Sequence, residues 1–197
     1  MDISLLGIPL EAGNSVPGTL MGPAALRTAG IAAMLTGLGH EVRDYGDVVA
    51  AAPADLSGQL PTCRNPGEIK AWTEAIHDRG LDVLRAGGVP IFMGGDHALS
   101  MGTVAAVSRH CRETGRDLAV LWLDAHADFN TPDTTPSGNM HGMTLAALLG
   151  EDNMEMAINK PDEDTVEYWN NLKNMGGICP KIEYSDLVYV GLRDFEV

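Results

Sequence analysis

Basic residues are scarce in this sequence: 13 Lys and Arg stand against 27 Asp and Glu, a formal net charge of −14 in 197 residues. Those few cations form no stripe, so the electrostatic footprint of a nucleic-acid binder is missing and a polyanion would be repelled. The negative field favours a cationic ligand or a divalent metal, although acidity also serves solubility alone. Cysteine is scarce too. Cys63, Cys111 and Cys179 are widely spaced with no CxxC pair, which argues against a disulfide framework or thiolate zinc site and suits a reduced, cytoplasmic protein. Long apolar runs are lacking: no stretch approaches the ~20 residues of a membrane span. The N-terminal Met1-Asp2-Ile3-Ser4 carries no basic region of a secretory signal. No internal repeat is found.

What is present is ordinary globular composition, 45% hydrophobic and 20% charged, in a chain long enough to bury about 70% of its unfolded surface in one core. Four short apolar runs, at 3–8, 89–93, 118–123 and 187–192, are continuous enough to be strands buried on both faces, and 41–48 is a weaker strand. Helical patterns fall between them. Residues 22–39 and 66–88 each begin with Pro beside a first helical position and end at Gly, and a third helix is expected from about Ala98 into Cys111. The alternation predicts one α/β domain over residues 1–197, a three-layer α-β-α arrangement with a mainly parallel sheet. Residues 50–66 read as a loop. Residues 151–167 carry seven acidic groups against Lys160 alone and read as a solvated excursion.

Chemistry concentrates where two apolar runs end. In "LWLDAHADFN", Asp124, His126 and Asp128 alternate with Ala125 and Ala127, so an extended backbone would project all three on one face. The preceding run does not alternate, which places these groups where a buried strand emerges, the edge at which open α/β sheets bind ligands. In "VPIFMGGDHALS", a strand, a Gly94-Gly95 turn and Asp96-His97 lead into a helix. His97 and Asp124 are one strand-helix-strand unit apart, so four candidate ligands meet at a common edge of one sheet. Carboxylate and imidazole donors without thiolate suit manganese, iron or cobalt better than structural zinc.

The stretches "GPAALRTAGI", "GGDHALS" and "DAHADFNTPDTTPSGNMHGM" resemble the ureohydrolase family, and "NTPDTTPSGNMHG" resembles its arginases in particular. The resemblance implies a binuclear manganese hydrolase of a guanidino compound, L-arginine first among them, acting in the cytoplasm as a homo-oligomer, a trimer or hexamer. It implies that His97 and Asp128 hold one ion, His126 the other, and Asp124 both. His141 matches a histidine proposed to carry protons, and Asn130 and Ser137 match residues that hold an amino acid's α-carboxylate, with Thr131 and Thr135 beside them.

Two departures accompany the match. The family's remaining metal-binding aspartates lie in a DxD motif downstream of the segment resembling "VYVGLRDFEV", and this sequence ends at Val197. The resemblance therefore covers the N-terminal two thirds of the family's fold, and this chain is expected to hold its second ion loosely and turn over slowly. Glu196 stands where arginases place an aspartate that reaches the substrate's α-amino group. The stretch from His141 to Arg193 is also longer than in typical arginases, with the excess around 151–175. Those departures leave another guanidino-acid hydrolase, or a non-catalytic binding protein, as alternatives.

Overall fold

Strand β1 (Asp2–Ile8) carries the first structural decision, because its side chains alternate between two apolar faces. Ile3 and Leu5 pack with Met93 against Ile31, Ala32 and Leu35, whereas Leu6 and Ile8 join a larger core with Ile69, Ile76, Val83 and Met101. A sheet that is apolar on both faces needs helices on both. They are α1 (Gly22–Thr28) and α2 (Ile31–Gly37) on one side, and α3 (Pro66–Arg85) and α4 (Leu99–Thr114) on the other, so the layering is α-β-α. A computed structural model describes residues 1–52 and 60–193, and all of its paired strands are parallel.

Strands β2 (Glu41–Asp47) and β3 (Val89–Gly94) flank β1 in the order β2-β1-β3. The weaker strand expected at 41–48 is this exposed edge, tied back by Arg27, whose guanidinium bridges Asp44 at 2.7 Å and Asp47 at 2.5 Å. The helix expected over 22–39 is two helices. Gly30 between them adopts φ 88°, a left-handed conformation that breaks the i to i+4 ladder at little steric cost to glycine.

Strands β4 (Val120–Leu123) and β5 (Leu187–Val190) pair with each other and, among the described residues, not with β3. The single sheet edge expected for His97 and Asp124 is thus two edges brought together. Burial on both faces also fails here. Trp122 packs against α5 (Thr144–Leu149) through Leu145, Leu148 and Leu149, but Leu121, Leu123, Val188 and Val190 are exposed, because no described element covers that side.

The acidic stretch is largely exposed, as its charge predicts, with Thr165 the one buried position over 151–167, but its later part is helical. Residues 163–173 form α6 (Glu163–Lys173), in which Asp162 caps the N-terminus by accepting from the Thr165 N–H at 2.8 Å. Glu163 and Asp164 lie in its first turn, where negative charge complements the helix dipole. Thr165, Trp169 and Leu172 recur at helical spacing on its buried face. Asp162, Glu163 and Asp164 are therefore the start signal of a helix packed on one face, and Asp152 accepts from both Trp169 Nε1 and the Lys173 ammonium.

Lys181 closes the far end of α6. Its buried ammonium donates to the carbonyls of Leu172, Lys173 and Ile178, and burial pushes its pKa down to about 8. Between that value and the ordinary 10.5 the unfolded chain binds the extra proton, so folding stability gains with rising pH. The stability of the wild type relative to Lys181→Met is expected to increase by roughly 2 kcal/mol from pH 7 to 9.5, read as urea midpoints at both values. A pH-independent difference would contradict this.

Candidate metal centre

The two strand ends meet through the loops that follow them. After β3, Gly95 and Asp96 pass so close to the loop after β1 that Gly95 N–H donates to Ile8 O at 3.2 Å and Asp96 N–H to Leu10 O at 2.8 Å. The buried Asp96 carboxylate accepts from Gly13 N–H at 2.8 Å and Ala98 N–H at 2.9 Å, and Gly13 O accepts from His141 N–H at 3.1 Å. Burial raises the Asp96 pKa despite those donors. One carboxylate thereby ties the His97 turn to the segment carrying His141. Thr144 adds a second tie, its hydroxyl lying 3.0 Å from His141 O and 3.3 Å from His97 O.

His97 Nδ1 lies 2.6 Å from Asp128 Oδ2 and 3.2 Å from Asp124 Oδ2, and ligand atoms of these three residues fall within 4.8 Å of one another. Burial works against the His97 imidazolium, but the close Asp128 carboxylate, with Asp124 and Asp96 beyond, outweighs it and raises its pKa. Asp124 shows the same balance with the opposite shift: desolvation is overcome by the His126 N–H and the nearby imidazoles, and its pKa falls. Asp128 Oδ2 is buried with no donor in good hydrogen-bonding alignment, and its backbone sits at φ 51°. A buried anionic oxygen so placed, beside another carboxylate and an imidazole, fits a hard or borderline divalent cation.

His126 joins this group from outside. Its side chain is 65% exposed with Nδ1 3.4 Å from Asp124 Oδ1, so the compact triad is His97, Asp124 and Asp128, with His126 at its rim. All four line a cavity of about 430 Å³ together with Asn130, Thr135, Ser137 and His141. Asn130 is held from both sides, its N–H donating to Gly142 O at 3.1 Å and its Oδ1 accepting from Thr134 Oγ1 at 3.0 Å. Thr131 does not reach the cavity lining: it is fully buried and its hydroxyl donates to Asp152 O. Glu196 lies outside the described residues.

Three neighbours were not singled out from sequence. Asn139 lines the cavity, with Oδ1 buried and unpartnered and Nδ2 3.3 Å from Ser15 Oγ. Trp122 stacks on His97, ring centroids 4.7 Å apart at 20°, a contact concealed in the sequence by its place in an apolar run. Asp96 was visible in "GGDH" but its work is done through Gly13, 83 positions away.

Known proteins resemble this chain over most of its length. The Arginase of Agrobacterium fabrum is 42% identical over 151 residues, which are 77% of this chain and 47% of that protein. The Arginase of Brevibacillus brevis is 34% identical over 195 residues, 99% of this chain and 58% of that protein. The solved arginase of Bacillus caldovelox superposes with a TM-score of 0.79 at 34% identity, covering 98% of this chain and 58% of its own. The chain thus spans about half the length of the curated relatives it matches. The model of the Arginase family matches residues 1–197, and the chain belongs to that family.

Proposed function

We propose that the cavity is the binding and reaction site of a metal-dependent guanidino hydrolase, with L-arginine as substrate and L-ornithine and urea as products. The observation that carries this reading is the convergence of His97, Asp124, His126, Asp128, Asn130, Ser137 and His141 on one cavity. A crystal structure of the Entamoeba histolytica arginase in complex with L-ornithine, 25% identical to this chain with a TM-score of 0.77, supports the same substrate class.

His97, Asp124 and Asp128 would hold one manganese ion, and His126 with Asp124 would contribute to a second. Bound divalent cations acidify water enough for it to act as a nucleophile near neutral pH, which a resonance-stabilised guanidinium requires. Asn130 and Ser137 present neutral groups to the α-carboxylate, orienting the side chain inward without adding cations that would compete for the aspartates. Water adds to the guanidinium carbon, and the bond from that carbon to the side-chain nitrogen then breaks. His141 carries the water's proton to the departing amine, a transfer suited to an imidazole, whose ring nitrogens can both take up and release a proton. The acidic field of the chain favours the cationic substrate throughout.

Urea release from L-arginine, agmatine and guanidinobutyrate by manganese-loaded protein tests this reading. L-arginine is the expected preference, and release from none of the three would refute it. In active protein, His126→Ala should lower manganese content, whereas His141→Ala should leave it intact and slow turnover by about 100-fold, the worth of a positioned proton carrier. Equal metal loss in the two variants would contradict that division of labour.

A further inference from the structure

The segment after α5 runs along the surface, with residues 154–158 and 160 exposed, yet Asn159 between them is half-buried. It is turned into the back of the loop that forms one wall of the cavity. The two hydrogens of its carboxamide go to two carbonyls, Nδ2 lying 2.7 Å from Thr135 O and 3.1 Å from Pro132 O. Its main-chain N–H donates to Asp133 O at 2.8 Å, and Ile158 N–H reaches the same oxygen at 2.9 Å. Three carbonyls of one turn thus converge on a single residue. A further tie, Thr131 Oγ1 to Asp152 O at 2.9 Å, joins the loop to the same segment.

The gripped turn leads directly into the cavity wall. Thr135, Pro136 and Ser137 line the cavity, and Thr135 Oγ1 accepts from Ser137 N–H at 3.3 Å and Gly138 N–H at 3.0 Å. The turn's own main-chain bonds, Thr134 and Thr135 N–H to Thr131 O, leave the outward carbonyls of Pro132, Asp133 and Thr135 to be satisfied from elsewhere. Asn159 supplies those donors. Without its carboxamide, two carbonyls lose their partners and the turn is free to reorient toward water, taking Thr135 and Ser137 with it.

We propose that Asn159 is a positioning residue for carboxylate recognition: it touches no substrate but holds the Pro132–Ser137 turn in the shape that presents the polar wall of the cavity. The second half of that statement rests on the reading of Asn130 and Ser137 as partners of an α-carboxylate. Asn159→Asp keeps the side chain's shape and removes both donors, while Asn159→Ala removes them without bringing a charge near Asp133. In both variants of this chain, amide hydrogen exchange of residues 131–138 should accelerate about tenfold or more, with α5 unchanged and manganese affinity retained. Calorimetric affinity of the manganese-loaded protein for L-arginine should fall about tenfold, and that for agmatine, its decarboxylated analogue, should not.

Unchanged exchange in residues 131–138, or an increase spread evenly over the chain, would overturn the positioning role. Loop-confined acceleration with equal losses for the two ligands, or with neither ligand bound by the wild type, would uphold the positioning role and overturn the carboxylate reading of the cavity.

Discussion

Asp128→Asn is expected to abolish any stabilisation of this protein by manganese while changing the stability of the metal-free protein far less. The backbone at Asp128 has φ 51°, a left-handed conformation in which Asn is among the best tolerated residues after Gly, so the substitution leaves the chain path intact. What changes is the charge on a buried oxygen 2.6 Å from His97 Nδ1. Without a cation, a neutral amide there loses the charge pairing with His97 but is cheaper to bury, two effects that oppose each other. With a cation, the same replacement removes an anionic ligand from a set that has few. The expected loss of affinity is on the order of 100-fold or more, beyond what an altered outer partner costs. If the wild type binds manganese as proposed, the ion at about 100 times its dissociation constant would add about 2.7 kcal/mol to the stability of the fold. Thermal melts with and without manganese therefore separate the proteins: a metal-dependent rise for the wild type and none for the variant. A variant that retains the rise would show that Asp128 is not a ligand.

Both the placement of the candidate ligands and the strand order along the chain were legible in the sequence, because they rest on local patterns. Asp124, His126 and Asp128 are spaced by the strand period, and His97 follows a Gly-Gly turn that ends another strand, so each group announced its position at a strand end. His141, Asn130 and Ser137 were legible only through the resemblance, since in an Asn-, Thr- and Pro-rich loop those residue types serve turns equally well. The partnership of Asp96 with Gly13, or of Asn159 with the 131–135 turn, leaves no periodicity to detect, because it joins loops that the fold alone makes adjacent.

The misreadings have physical causes as well. Charge density over 151–167 matches its exposure but conceals a helix: Asp162, Glu163 and Asp164 are acids at a helix start, and the apolar face begins only after them at Thr165, Trp169 and Leu172. The exposed faces of β4 and β5 mislead in the other direction: Leu121, Leu123, Val188 and Val190 have the composition of buried strand positions whatever covers them in a given structure. Separation of β3 from β4 was equally invisible, since strand-helix-strand spacing fixes direction and approximate distance but not which strands share a ladder.

The adjacent glycines of the β3 turn offer a test of how the fold builds the site. A methyl group at Gly95 would stand 2.2 Å from Leu10 O, 2.6 Å from Leu10 N and 2.8 Å from Ile8 O, all main-chain atoms of the loop after β1. At Gly94 it would meet Leu99 Cδ2 at 2.0 Å, the far end of a side chain that can rotate away. The two substitutions are chemically identical and one residue apart, yet the first must move a backbone and the second a methyl group. Gly95→Ala is expected to destabilise the protein by about 3 kcal/mol or more, and Gly94→Ala by about 1 kcal/mol. The damage at Gly95 extends to the site, because relief of the clash separates the two loops that its own N–H and that of Asp96 hold together. Asp96 then loses register with Gly13, Gly13 with His141, and His97 with the two aspartates. Manganese binding should consequently be lost in Gly95→Ala, even at urea-free temperatures where the variant is still folded, and be retained in Gly94→Ala. Urea denaturation followed by tryptophan fluorescence, with manganese titration of the folded proteins, distinguishes the pair. Similar stability and equal metal affinity in both variants would show that the close crossing of these loops does not set the geometry of the centre.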